Sequence, residues 1–394
     1  MTTRAVVIGA GVMGAATAHR LAEAGVSVTV LDAGGRTPGT SSATFSIDVT
    51  HLKTPHSYFL LNRRSAALHR ELEAQLGVGR DAPGWRHPVP LVQWGHSEEE
   101  QRTLRARAER LAAWGHPCRS ADPGELSTLA PGVDPASCRA SELVVHDDAA
   151  WYDAPLLARV LLDRAAALGA DIRHDSPVTA LLRDGERVRG AEARGRRFEA
   201  DHVVNCAGPD AGRIAGLAGV RLPLRQIPGL VGESTPLPDP LRAIVATPGV
   251  DLRPAPGNRA CAISWPVDAL LDPDAATPVP PEADLLTRCS AILPAFRAMS
   301  GTRIGVRPVP EDGLPLAGPH PQAPGLYTLV SHSGVTLAPL LGALAARELT
   351  TSDPVPDLAP YRPDRDTSHP VRDESLATMS GHRADAAPAA PGLG

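Results

Sequence analysis

Residues 5–32 constrain this chain more than any other stretch. Ala5-Val6-Val7-Ile8 is a short apolar run rich in β-branched residues, which predicts a buried strand. Gly9, Gly11 and Gly14 follow at the spacing G-x-G-x-x-G. Residues 15–24 are alanine-rich and helix-forming, and Gly25 falls where a helix would be capped. A second β-branched run, 26–31, ends on Asp32. This order is the fingerprint of a site for an adenine dinucleotide. Gly9 permits the tight turn, Gly11 lets the backbone approach a pyrophosphate, and Gly14 lets helix and strand pack closely. The N–H groups at Val12 and Met13, with the positive end of the helix dipole, face the phosphates. The Asp32 carboxylate accepts from ribose hydroxyls. An ordinary glycine turn would account for the three glycines, but not for the strand, helix, strand and acid around them.

The loop after Asp32 distinguishes two dinucleotides. A nicotinamide-binding unit usually proceeds to a third strand through another crossover helix. Residues 33–44 are instead small and hydroxylated, and include Ser41 and Ser42. Hydroxyls and backbone N–H groups there suit a longer cofactor lying extended across the sheet, which favours FAD over NAD.

At 394 residues the chain can bury a large core, in two domains or one interleaved pair. A net charge of −5 gives no general attraction to nucleic acid or to an anionic membrane. The arginines of 98–114 are offset by Glu98, Glu99, Glu100 and Glu109, so that helix presents a solvated face. Five scattered cysteines without a C-x-x-C point to neither a disulfide framework nor a zinc site, and fit a reducing cytoplasm. The glycine loop comes too early for a signal peptide. The uncharged run 330–346 contains His332, Gly334 and Pro339 and does not read as a membrane span. Among 39 basic residues only Lys53 is a lysine. Either it is a chance surface survivor, or an ammonium is needed near the cofactor where a guanidinium will not serve.

Further along, helices are expected over 58–76, 98–114, a short stretch opening at 122–126, and the second part of 151–170, with Asp153 as its cap. The period then becomes two. Segments 178–182, 188–193, 197–199 and 202–205 read as short antiparallel strands, with Asp184-Gly185 as a hairpin turn. Residues 220–310 alternate strands with Pro/Gly turns around a helix at 282–293, which predicts a second, largely antiparallel sheet able to roof a pocket. A strand at 326–330 leads through 331–336 to a last helix, and from 364 the chain is polar and reads as a disordered tail.

Together these pieces resemble the D-amino acid oxidase superfamily of flavoproteins, the group holding glycine oxidase and sarcosine oxidase. The resemblance runs from the N-terminus to about residue 350. Its carriers are Asn205-Cys206-Ala207-Gly208-Pro209, Gly305-Val306-Arg307-Pro308 with Asp312-Gly313-Leu314-Pro315, and His332-Ser333-Gly334-Val335-Thr336-Leu337-Ala338-Pro339. It implies a Rossmann-type α/β FAD-binding domain from segments 1–57, 145–219 and 303–363. An interleaved α+β substrate domain would come from 58–144 and 220–302, followed by the tail at 364–394. It also implies oxidation of a C–N bond, with hydride passing to flavin N5 and the imine product hydrolysing. Arg307 matches the arginine that clamps the substrate carboxylate. Gly334, Val335 and Thr336 match the loop against the flavin pyrimidine edge, and Ser333, Val178, Ala207 and Gly208 complete the cofactor set. His332 faces flavin or substrate, or else bonds a backbone group. Covalent relatives tether flavin at places occupied here by Val309-Pro310 and Ser41-Ser42-Ala43, so non-covalent FAD is expected. Tyr58 and Tyr152 are the only tyrosines placed to hold a substrate, while Trp265 and Arg253 are roof-sheet candidates.

The leading expectation is an FAD-dependent amine or amino acid oxidoreductase acting on a small carboxylated amine, with O2 as acceptor and Lys53 serving one half-reaction. The alternatives are a flavin-dependent monooxygenase, or a flavin-bound subunit of a larger complex.

Overall fold

The computed structural model describes residues 2–35, 39–79, 83–116, 118–271 and 281–368. Strand β1 (Arg4–Ile8), helix α1 (Val12–Glu23) and strand β2 (Ser27–Leu31) form the expected unit. β1 is central in a six-stranded sheet, between β2 and His202–Asn205. Ala323–Val330 follows on one side and Asp171–Arg173 on the other, all parallel, with Leu316–His320 closing the edge antiparallel.

Both faces of this sheet are covered, which is why its strands read as continuous apolar runs. On one face α1 packs against Ala154–Ala167 and Gly334–Thr351, and His56–Leu76 packs on the latter. On the other lies a three-stranded antiparallel sheet, Val178–Asp184, Arg187–Ala193 and Arg196–Glu199.

The roof is an eight-stranded sheet ordered Met299–Pro310, Leu224–Ser234, Arg259–Ile263, Asp251–Ala255, Ile244–Ala246, Leu91–Gln93, Leu143–His146, Arg119–Ala121. It is antiparallel except where Ile244–Ala246 runs parallel to Leu91–Gln93. Alternate residues divide between two faces, as the strand period requires. Leu230, Leu252 and Ala262 pack with Leu285 and Cys289 of the helix Glu282–Ile292. Val231, Cys261, Ile263 and Ala255 face the other way and meet Phe45 and Trp151.

Two expectations change. His202–Asn205 is a parallel strand beside β1, not part of the antiparallel unit; Val203 and Val204 are buried as a strand covered on both faces must be. Trp151 belongs to a strand, Ala150–Tyr152, paired with Arg86–Pro88, rather than to a loop. Asp153 caps the following helix through the N–H of Leu156 at 2.9 Å, as expected. Most of the tail expected from 364 lies outside the described residues. No helix among the described residues is long and apolar enough to cross a membrane.

Candidate active site

A cleft of about 470 Å³ runs from the end of β2 to the inner face of the roof sheet. Its floor begins at the glycine turn. Gly9 has φ +105°, and a Cβ there would sit 2.5 Å from the Cys206 carbonyl oxygen. A Cβ on Gly14 would lie 1.9 Å from the Gly9 carbonyl oxygen, so helix and strand can close only around glycine. Gly14 thus shapes the turn from below, while Gly9, Gly11, Val12 and Met13 line the cleft. The N-cap residue Gly11 has no side chain to cap α1, whose N-terminus faces the floor. The hydroxyl of Ser41 accepts from the Val12 N–H at 3.2 Å. Ser42 is not part of the lining; its hydroxyl donates to the Gly39 carbonyl at 2.8 Å.

The Asp32 carboxylate stands at the end of β2, half-buried. One oxygen accepts from the Ala10 N–H at 2.7 Å and the other from Gly34 at 2.9 Å. Two backbone donors fix its orientation and leave the remaining lone pairs to the cleft. Val178, Ala207 and Gly208 form the neighbouring wall. A carboxylate at the strand end, a glycine turn without Cβ atoms and an open helix N-terminus match ribose and pyrophosphate in turn.

Toward the roof, Ser333 precedes the helix Gly334–Thr351, and His332, Gly334, Val335 and Thr336 line the cleft. Pro339 removes the N–H that would normally serve the Val335 carbonyl four residues earlier. His69, from the helix His56–Leu76, fills that role: its Nε2 lies 3.1 Å from the Val335 oxygen and 3.2 Å from that of Thr336. Trp85 Nε1 donates to His69 Nδ1 at 3.2 Å, which leaves the proton on Nε2. Burial holds this imidazole neutral, with its pKa down at about 4. Tyr58 donates to the Ser333 hydroxyl at 3.3 Å, and Thr336 donates to the Ile47 carbonyl at 3.4 Å. The helix start is held from three sides.

Arg307 reaches the cleft from the long strand Met299–Pro310. Its guanidinium crosses over Gly229, where a Cβ would lie 2.2 Å from Nη2. It stacks 4.6 Å from the Trp265 ring, and Nη2 pairs with Asp268 Oδ2 at 2.8 Å. Asp268 in turn accepts from the Leu230 N–H at 2.7 Å, continuing the ladder where Arg259–Ile263 has ended. Burial pushes the Asp268 carboxyl up, against the pull of the guanidinium. Asp251 and Trp265 complete this end.

Lys53 is fully buried and does not line the cleft; its Nζ lies 5.4 Å from the centre of the Tyr58 ring. It is no chance surface residue. Tyr152 is also buried behind the wall, stacked on His69 with ring centres 4.2 Å apart. Arg253 is buried between Phe45 and Trp151, donating to the Phe45 carbonyl. Asp251, Asp268 and His69 escaped the sequence reading. A proline four residues after Val335 was the one local sign that a donor such as His69 must come from elsewhere.

The FAD dependent oxidoreductase family matches residues 4–348. The chain belongs to this family. It is similar to glycine oxidase of Geobacillus kaustophilus, 27% identical over 90% of this chain and 95% of that one. It is also similar to glycine oxidase of Pseudomonas aeruginosa, 28% identical over 92% and 99%. The crystal structure of the Geobacillus kaustophilus enzyme superposes with a TM-score of 0.80 and 26% identity over 93% of this chain and 100% of that one. As a family member this oxidoreductase uses FAD, and the groove from Asp32 to Thr336 fits it. Val309, Pro310, Ser41, Ser42 and Ala43 carry no thiol or imidazole to attach it, so FAD is held non-covalently.

Proposed function

We propose that this flavoprotein oxidises the C–N bond of a small carboxylated amine and passes the electrons to O2. The observation that carries the reading is the Arg307 guanidinium, set on the cleft wall between Trp265 and Asp268 at the end of the groove away from Asp32. FAD held in the groove would supply the two-electron acceptor for hydride from the carbon bearing the amine, and the imine so formed would hydrolyse.

The side chains bind and orient. Asp32, the glycine turn and the start of α1 at Val12 and Met13, where the Ser41 hydroxyl takes the Val12 N–H, hold the nucleotide end beside Val178, Ala207 and Gly208. Ser333, Gly334, Val335 and Thr336 place a helix N-terminus at the other end, where a fixed dipole favours negative charge. Arg307 pairs with Asp268 through Nη2 and donates from Nη1 to the Pro228 carbonyl at 3.3 Å, and its remaining N–H groups take a carboxylate and fix the substrate over the cofactor. His332 stands on the cleft wall within reach of cofactor or substrate. Lys53 acts from behind Tyr58, whose hydroxyl supports Ser333. Segments 1–57, 145–219 and 303–363 make the cofactor side, apart from 145–146 and 303–310, which run in the roof sheet.

Anaerobic mixing with glycine, sarcosine and the alanine enantiomers tests the reading. At least one should bleach the flavin, and readmitted air should restore the colour with formation of hydrogen peroxide. Bleaching by NADPH alone would overturn it in favour of a monooxygenase. Colour restored by a dye but not by air would remove O2 as acceptor.

A further inference from the structure

The face of the roof sheet that bears Arg307 also carries an acid that lines the cleft. Asp251 opens the strand Asp251–Ala255, is partly exposed, and lines the same cleft. It pairs with Ile263, and the pairing of Gly232 with Ala262 puts Ile263 beside Val231. Val231 and Gly229 lie two apart on one strand and share a face. The guanidinium lies over Gly229. Asp251 and the guanidinium are therefore on one face, with Ile263 and Trp265 bordering the cleft between them.

Among the described residues Asp251 makes no ion pair, and the Thr247 backbone is what holds its pKa down against burial. Burial lifts its pKa to about 7, so near neutral pH the carboxyl is partly protonated and ionises fully when a cation arrives beside it. Two strand spacings and two residues of rise separate Gly229 from Asp251, roughly 12 Å in all. Subtracting a hydrogen bond of about 2.8 Å at each end leaves roughly 6 Å for a substrate. The amine beside a carboxylate is too close to span that gap. A chain of roughly four to six bonds does span it, at an extended rise of about 1.25 Å per bond, consistent with standard bond lengths near 1.5 Å.

We infer that Asp251 is a specificity-determining residue: it takes the distal cation of a carboxylated amine that bears a second amino or guanidino group at the far end from Arg307. The inference rests on the reading of Arg307 as the carboxylate site. The reactive carbon then lies between two fixed ends, which sets its position along the cleft as well as its orientation.

Anaerobic flavin reduction by matched pairs tests it: lysine against norleucine and ornithine against norvaline, in both configurations. The basic member of a pair should win by about tenfold or more in kcat/KM. Asp251→Asn should lower that value about 10²-fold for the basic substrates, as for removal of one partner of a close charge pair, and leave the neutral ones nearly unchanged. Equal efficiency within each pair, or equal losses for both members in the variant, would overturn the inference while leaving the proposed function intact. If no carboxylated amine bleaches the flavin, the proposed function fails and this inference with it. A second measurement needs no variant. In the wild-type holoenzyme 5-aminopentanoate should perturb the flavin spectrum at concentrations at least tenfold below pentanoate, and equal concentrations would overturn the inference.

Discussion

Arg307 Nη2 lies 2.8 Å from Asp268 Oδ2, and both side chains are largely enclosed. The guanidinium at the roof end of the cleft, proposed to receive the substrate carboxylate, is thus already half of an ion pair. Asp268 is anchored in turn by the Leu230 N–H, so the pair fixes the guanidinium's plane over Gly229. Structure and binding are combined in one residue, and they can be separated by experiment.

Arg307→Met alone should destabilise the protein by about 3–5 kcal/mol, because it strands a buried carboxylate. Adding Asp268→Asn should recover most of that loss. Reduction by carboxylated amines should stay abolished in both variants. Thermal melting and anaerobic bleaching measure the two effects, and recovered bleaching in the double variant would show that Arg307 only supports the fold.

Asp32→Ala should weaken FAD binding by about 1.5–3 kcal/mol, the range for a hydrogen bond to a charged group. Two N–H groups, of Ala10 and Gly34, also lose their acceptor, so the glycine turn should loosen. Fluorescence titration of the apoprotein with FAD gives the number. Unchanged affinity would place the ribose elsewhere.

Lys53→Arg should cost about 1–3 kcal/mol through overpacking. The side chain is fully buried against Tyr58, with no exposed surface into which a larger head could move. This explains one lysine in a chain that otherwise uses arginine. A melting temperature equal to that of the wild type would refute the explanation.

Buried imidazoles make stability depend on acid. Burial lowers His69, His146 and His320 to about 4; His51 is also lowered well below its ordinary value, by burial first and then by His146. Between about pH 4 and 6.5 the unfolded chain binds more protons at these sites than the folded one. Their stabilisation is therefore complete above about 6.5 and is lost as pH falls toward 4, with a slope up to about 1.4 kcal/mol per pH unit for each. Urea midpoints at pH 7 and 5 should differ accordingly, and His146→Asn should flatten the dependence.

The glycine turn, α1 and Asp32 were legible because their meaning is contained in consecutive residues. His202–Asn205 was misread because it follows three hairpin strands and pairs instead with a strand far away; two valines cannot state which neighbour they will find. Trp151 was misplaced for a similar reason, since its partner strand Arg86–Pro88 is a separate short segment. In the candidate site, Arg307 was singled out by resemblance alone. Asp268 and Asp251 are single acids in short elements, and their significance comes only from the register of the roof sheet, which brings them to the face of Arg307.

The interleaving of the parallel sheet has a consequence for the chain during synthesis. β1 is made well before its partner strand, and Arg4 finds Asp201 only 197 residues later. Thr336 reaches back to Ile47 across 289 residues. Each such closure carries an entropy cost that local contacts cannot offset in advance. A nascent chain bearing the complete glycine fingerprint still lacks His202–Asn205 on one side of β1 and the helix start at Gly334 on the far wall. A complete cofactor groove therefore needs every residue up to Thr336 to have been made.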